Sequence, residues 1–237
     1  GNVSSRLSSN DTNWFQDTFT YADHIEGTQF DDIITGSNQY LEGFVGEAGN
    51  DIIDGGAYWD EALKTGWDTI DYRFESSRYD NSPIAPIGVT VNLSTGVATD
   101  TFGDTDTLQY IDGVFGSHLD DVIVGNNRSN YLMGEDGNDI IDGGAGNDTL
   151  NGGEGNDTLT GGAGSDTFVF RGTFDHDVIT DFNEGEDSLE FYAADGSVMA
   201  VSDLDETTDA NGNRVLSTAD GLSSVTLETT SLSATVD

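Results

Sequence analysis

Cut at every ninth residue, positions 116–169 read GSHLDDVIV, GNNRSNYLM, GEDGNDIID, GGAGNDTLN, GGEGNDTLT, GGAGSDTFV. Six nonapeptides follow one another without an insertion, and each opens on Gly. The sixth position holds Asp121, Asn130, Asp139, Asp148, Asp157 and Asp166. The eighth holds Ile123, Leu132, Ile141, Leu150, Leu159 and Phe168. A loop has no reason to keep an apolar residue at one position of every block. The stretch therefore reads as a solenoid of tight turns and very short strands.

The two halves of the block have different physical tasks. The turn half, G-G-x-G-x-D, needs positive φ and close approach of neighbouring backbones, which Gly tolerates. The strand half carries one inward apolar side chain. Nine residues make half a coil of a flattened helix, so eighteen return to the same edge. Asp121, Asp139 and Asp157 then stack on one edge, and Asn130, Asp148 and Asp166 on the other, with strands about 4.8 Å apart. Carboxylates at that spacing repel unless a cation lies between them. A hard divalent cation with six to eight oxygen ligands fits, taking two carboxylates and turn carbonyls. The candidate ligands at the best-formed turns are Gly134, Asp136 and Asp139; Gly143, Ala145 and Asp148; Gly152, Glu154 and Asp157; Gly161, Ala163 and Asp166. The absence of Cys and the presence of only three His argue against zinc and copper.

Working outward, the chain has 237 residues, with 45 acidic against 7 basic ones and a formal charge of −38. Without counterions such a chain repels itself. It offers no basic patch for nucleic acid or an anionic membrane surface. Hydrophobic content is 35 %, and 31 residues are Gly, which suits a thin core with many turns. With no Cys, metal is the expected substitute for disulfides. No hydrophobic run approaches transmembrane length.

Residues 27–72 form a first, imperfect version of the same unit. GTQFDDIIT places Asp32 at the sixth position, GFVGEAGNDIID supplies Asp51, and GWDTIDY supplies Asp68; all three are candidate metal ligands. Before it, Trp14, Phe15, Phe19 and Tyr21 read as a cap over the solenoid end, with an aromatic sugar platform as the competing reading. The insertion 58–65 carries Tyr58 and Trp59, near Trp67, and these three are candidate ligand-binding residues for polysaccharide or a protein partner. Residues 73–115 lack the nonapeptide. GVTVNLSTGVATD alternates apolar residues, as either a hairpin or successive coils. The turn GDTDTL offers Asp104 or Asp106 to a cation, or is a plain Asp-rich turn.

The segment 116–169 resembles the RTX (repeats-in-toxin) β-roll of proteins exported by type I secretion. Three blocks fit the pattern almost letter for letter. It departs at Asn130, a neutral ligand, and at Gly116–Asp120, which lacks the second and fourth Gly. The resemblance implies an all-β parallel β-roll with capping segments at both ends, several calcium ions, and an uncleaved C-terminal signal read by the type I machinery. It also implies that the first Asp of D-x-I-x-D-F, here Asp177 with Asp175 as rival, completes the last calcium sites. The expected organisation is a tail and cap (1–25), a first RTX block (26–72), a solenoid extension (73–115), the six-repeat roll (116–169), and a C-terminal cap with a possible secretion signal (170–237).

No catalytic constellation is present. There is no HExxH and no Gly-x-Ser-x-Gly, and the three His are far apart in sequence. The expected function is a non-catalytic, calcium-binding module of a secreted protein, extracellular or at the cell surface. The alternatives are an adhesin, surface-layer or filament subunit, or a polysaccharide-binding module of a larger secreted enzyme.

Overall fold

The computed structural model describes residues 24–36, 42–56, 68–73 and 87–228, with the backbone of Ser5–Arg6 and Gln16–Thr18. The aromatic residues of the N-terminal cap, the insertion 58–65 with Tyr58 and Trp59, Trp67, and the last nine residues lie outside the described residues.

The chain alternates between two sheets. One sheet contains, in spatial order, β1 (Ser5–Arg6), β3 (His24–Glu26), β5 (Gly43–Val45), β7 (Thr69–Asp71), β11 (Gly113–Phe115), β13 (Tyr131–Asp136), β15 (Thr149–Glu154), β17 (Thr167–Arg171), β19 (Ser188–Tyr192) and β20 (Val198–Met199). The other contains β2 (Gln16–Thr18), β4 (Ile33–Thr35), β6 (Ile52–Asp54), β10 (Thr105–Gln109), β9 (Val97–Thr99), β8 (Thr90–Asn92), β12 (Val122–Val124), β14 (Ile140–Asp142), β16 (Thr158–Thr160), β18 (His176–Ile179), β23 (Ser224–Leu227), β22 (Arg214–Ser217) and β21 (Asp205–Thr208). Successive strands of the roll are parallel and in register, with Leu132 beside Leu150 and Leu150 beside Phe168. The fold is an all-β parallel roll.

Its core is the column of eighth-position side chains. Ile25, Phe44, Ile70, Val114, Leu132, Leu150 and Phe168 come from one sheet; Ile34, Ile53, Leu108, Val91, Ile123, Ile141, Leu159 and Ile179 face them from the other. Leu132, Ile141, Leu150 and Leu159 are completely buried. Each such side chain contributes about 1.5–3 kcal/mol by leaving water. A three-residue strand has too few bonds to persist alone, so each coil depends on its neighbours.

Two departures shape the roll. Between β6 and β12 the second sheet receives three strands where a regular coil supplies one. β8 and β9 form an antiparallel hairpin turning at Gly96, whose φ is +69°, and β10 returns antiparallel to β9 to pair in parallel with β6. At the C-terminal end, Phe170 stacks on Phe191 at 5.0 Å and meets Phe174 in a tilted contact at 5.1 Å, closing the core. Beyond them β21, β22 and β23 extend the second sheet as a meander. The turn at Asp209–Asn213 is held by its own side chain, with Oδ1 of Asp209 accepting from the amides of Asn211 and Asn213.

Candidate metal-binding edges

The sixth-position residue sits where each turn enters its strand, so parallel register stacks these side chains at the two edges. One column runs Asp32, Asp51, Asp106, then Asp121, Asp139, Asp157 and Asp177. The other runs Glu42, Asp68, Asp112, Asn130, Asp148, Asp166 and Asp187. Each column is tied by a repeated bond. The amide of Asp121 donates to Oδ1 of Asp139 at 2.8 Å, Asp139 to Asp157 at 2.8 Å, and Asp157 to Asp177 at 2.9 Å. On the other edge Asn130 donates to Asp148 at 2.7 Å, Asp148 to Asp166 at 2.8 Å, and Asp166 to Asp187 at 3.0 Å. In the first block Asp32 donates to Asp51 and Asp51 to Asp106, at 2.8 and 2.9 Å, and Glu42 donates to Asp68 at 3.2 Å.

The fate of the second carboxylate oxygen divides the repeats into two classes. In Asp51, Asp139, Asp148, Asp157, Asp166 and Asp177, Oδ2 is buried and has no hydrogen-bond partner. In Asp32 and Asp121 it accepts the amide of the block's own second residue, Thr28 or Ser117, at 2.6 Å. Asn130 likewise accepts from Asn126 at 2.8 Å and donates its Nδ2 to the carbonyl of Asp112.

The backbone at positions two and four accounts for the difference. Where the nonapeptide oxygen is open, position two has positive φ: Glu47, Glu135, Gly144, Gly153 and Gly162, at 65°, 79°, 92°, 113° and 91°. Position four does too, at Gly49, Gly137, Gly146, Gly155 and Gly164. In the closed turns these positions are Thr28 and Phe30, Ser117 and Leu119, or Asn126 and Arg128, and none has positive φ. The left-handed turn directs the second amide away from the carboxylate. The first Gly of the block then leaves room beside the open oxygen: a Cβ on Gly143 or Gly161 would lie 2.5 Å from Oδ2 of Asp148 or Asp166.

A buried carboxylate oxygen without a donor is costly as an anion. Burial accordingly raises the acids, helped by neighbouring Asp charges and opposed by the ladder bond: Asp139 and Asp177 to about 8, Asp148 to about 7, Asp157 to about 6. A hard cation offers these oxygens the missing partner. No three His, Asp or Glu side chains among the described residues converge to hold a metal. The chemistry that fits is one carboxylate from each of two stacked turns, completed by turn carbonyls.

The remaining sequence candidates fall as follows. Asp68 is fully buried in the second column. The side chain of Asp136 is exposed and lies 3.0 Å from His118, and Glu154 is exposed, so these two turns present backbone to the edge. Ala145 and Ala163 pair with each other through a parallel bridge. Asp175, the rival of Asp177, uses Oδ2 to accept the amide of Gly155. Sequence reading passed over Glu42, Asp112 and Asp187, and offered Asp106 to a cation through its turn without placing it in the ladder. Their signal is the strand half alone, an acid two residues before the inward apolar side chain.

The model of the RTX calcium-binding nonapeptide repeat matches residues 17–39, 44–57, 115–150, 133–168 and 142–179. The chain carries RTX repeats. The matches cover the six nonapeptides whole and part of the first block, and the turns with open oxygens at Asp51, Asp139, Asp148, Asp157 and Asp166 lie within them. Among solved structures, the extracellular lipase from Serratia marcescens is 21 % identical over 90 % of this chain and 39 % of the lipase, with a TM-score of 0.41. A subunit of the mannuronan epimerase from Azotobacter vinelandii is 34 % identical over 48 % of this chain and 73 % of that subunit, with a TM-score of 0.38. The chain thus spans 39 % of the length of the lipase. A comparison with curated proteins returns no match.

Proposed function

We propose that this chain is a calcium-folded RTX module of a secreted protein, without catalytic chemistry of its own. The observation that carries the reading is the set of buried, donorless Oδ2 atoms at both edges. A fold that buries anions without partners is poorly stable until a cation arrives. Calcium supplies the counter-charge and the oxygen coordination. Binding to the folded state alone stabilises it by RT ln(1 + [L]/Kd), about 2.7 kcal/mol per site at a hundredfold excess over Kd. Several sites at millimolar extracellular calcium therefore suffice against a net stability of about 5–15 kcal/mol. At cytosolic calcium the same chain stays open, as passage through a type I exporter requires, and folding outside opposes its return.

From the six nonapeptides to Asp177, the pairs with two open oxygens are Asp139 with Asp157, Asp157 with Asp177, and Asp148 with Asp166, and these are the proposed principal sites. Asp32, Asp121 and Asn130 extend the ladders with turns already satisfied from within. A single self-contained roll is favoured over lateral assembly at the C-terminal end. There the edge strand β21 is exposed throughout and carries Asp205 and Glu206, charges that discourage a second strand from pairing.

Small-angle X-ray scattering of the full chain tests this. The radius of gyration is expected to fall from near the unfolded value of about 53 Å in EGTA toward the compact value of about 18 Å in millimolar calcium. A radius that is already compact in EGTA counts against calcium-driven folding. A forward scattering of more than one chain counts against the monomeric module and for the assembly reading.

A further inference from the structure

The hairpin that widens the second sheet brings a further pair of buried carboxylates to the edge. Thr105 pairs with Thr99 and Asp106 with Ala98 across the antiparallel β9–β10 ladder. Asp100, one residue past that ladder, lies opposite Asp104, its amide donating to the Asp104 carbonyl at 3.1 Å. Asp100 and Asp106 are therefore diagonal neighbours on one face of the pair, a separation within reach of long or charged side chains. That face is inward: Asp100 and Asp106 are both completely buried, as is Ala98.

Each uses one oxygen to hold the fold and leaves the other without a donor. Oδ1 of Asp100 accepts from the amides of Phe102 and Asp104, at 2.9 and 2.8 Å. Oδ1 of Asp106 accepts from the amide of Asp51 at 2.9 Å. Oδ2 of Asp100, Asp106 and Asp51 has no partner. This is the pattern of the open nonapeptide turns, in a segment with no nonapeptide and outside the residues matched by the RTX repeats, which stop at 57 and resume at 115. The turn amides of Phe102 and Gly103 do not answer them: Phe102 donates to Oδ1 of Asp100 and Gly103 to its carbonyl.

We propose that Asp100 and Asp106 hold one further calcium ion, at the joint between the first RTX block and the hairpin, with Asp51 beside it in the column. The ion takes one oxygen from each carboxylate and completes its shell with turn carbonyls and water, as a flexible oxygen-liganded cation does. Its structural role is to lock the antiparallel insert to the parallel roll, joining two RTX blocks that the motif leaves separate. The proposal goes beyond the RTX sites and can fail while they stand.

Native mass spectrometry of the full chain in saturating calcium counts the ions. Asp100→Asn, Asp106→Asn and the double variant keep the Oδ1 acceptors. All three are expected to hold one ion fewer than the parent, the double no fewer than the singles, because both residues serve one ion. Asp195→Asn, on the surface, keeps the parent count. An unchanged count in the double variant overturns the proposal, as does a double variant that loses two ions. If the variants do not fold, crystals of the parent chain grown with terbium decide. An anomalous peak between Asp100 and Asp106 supports the site. Peaks along the RTX edges with none there overturn it, and no peak at either place removes the RTX reading as well.

Discussion

The amide of Asp139 donates to Oδ1 of Asp157, eighteen residues later in the chain, at 2.8 Å. This bond converts a repulsive column of charges into part of the backbone. One oxygen of each carboxylate replaces a strand-to-strand bond at the turn, and the other is held still beside the first Gly of its own block. In the proposed function, calcium meets a preformed oxygen pair.

The first prediction concerns pH. Asp139, Asp148, Asp157 and Asp177 all have acidities weakened by burial, at about 8, 7, 6 and 8. A folded pKa above the unfolded one means that the folded state holds more protons. The metal-free fold is therefore most stable below the unfolded carboxylate range, and loses stability as pH rises through about 6 to about 8. Calcium competes with those protons, so its affinity rises across the same window. At stepped pH the β signal in EGTA should fall across this window, while stability in saturating calcium should stay nearly level, the gain in affinity offsetting the loss. A metal-free stability that climbs with pH contradicts the assignment.

Asn130 tests the charge requirement. It pairs with Asp148 in the ladder, but its turn is closed by the amide of Asn126. Asn130→Asp adds an anion and loses the Nδ2 bond to the Asp112 carbonyl. The variant should bind calcium on the order of tenfold more tightly at that edge. Isothermal titration reads the affinity. Unchanged binding would mean that charge at this position is immaterial.

Gly137 tests the turn. Its φ is +130°, and a Cβ there would lie 2.6 Å from the carbonyl carbon of Leu119. Gly137→Ala should cost about 2–4 kcal/mol in calcium, in the upper range for single substitutions. Gly185→Ala, where the nearest atom to a Cβ is 3.7 Å away and φ is not positive, should cost much less. Urea unfolding of the two variants in calcium compares them; equal costs would remove the argument from turn geometry.

Leu150 tests the core. It is completely buried between Leu132 and Phe168 in the register of the first sheet. Leu150→Ala should cost about 2–5 kcal/mol. It should also raise the calcium midpoint for folding, because binding must offset the loss. A variant with the parent midpoint would separate core packing from calcium binding.

Much of this architecture is legible in the nonapeptide itself, because one period sets the coil length, the inward residue and the edge residue together. Asp106-Thr107-Leu108, Asp112-Gly113-Val114 and Asp187-Ser188-Leu189 carry the strand half without the glycines, so the motif alone passes over them. Val89 and Val91 alternate equally well in a hairpin or a coil. Gly96 with its positive φ, and the antiparallel pairing it permits, decide for the hairpin. The division into open and closed turns is visible only after the fact: Phe30, Leu119 and Arg128 stand where the open turns have their fourth-position Gly. What that substitution changes, the direction of one amide, depends on φ and not on side-chain type.

The most direct test of calcium-driven folding is far-ultraviolet circular dichroism of the full chain during a calcium titration from EGTA at neutral pH. The account predicts an unfolded spectrum in EGTA and a cooperative rise of β signal as calcium is added, reversed by chelation. A full β spectrum in excess EGTA, unaltered by calcium, would contradict it.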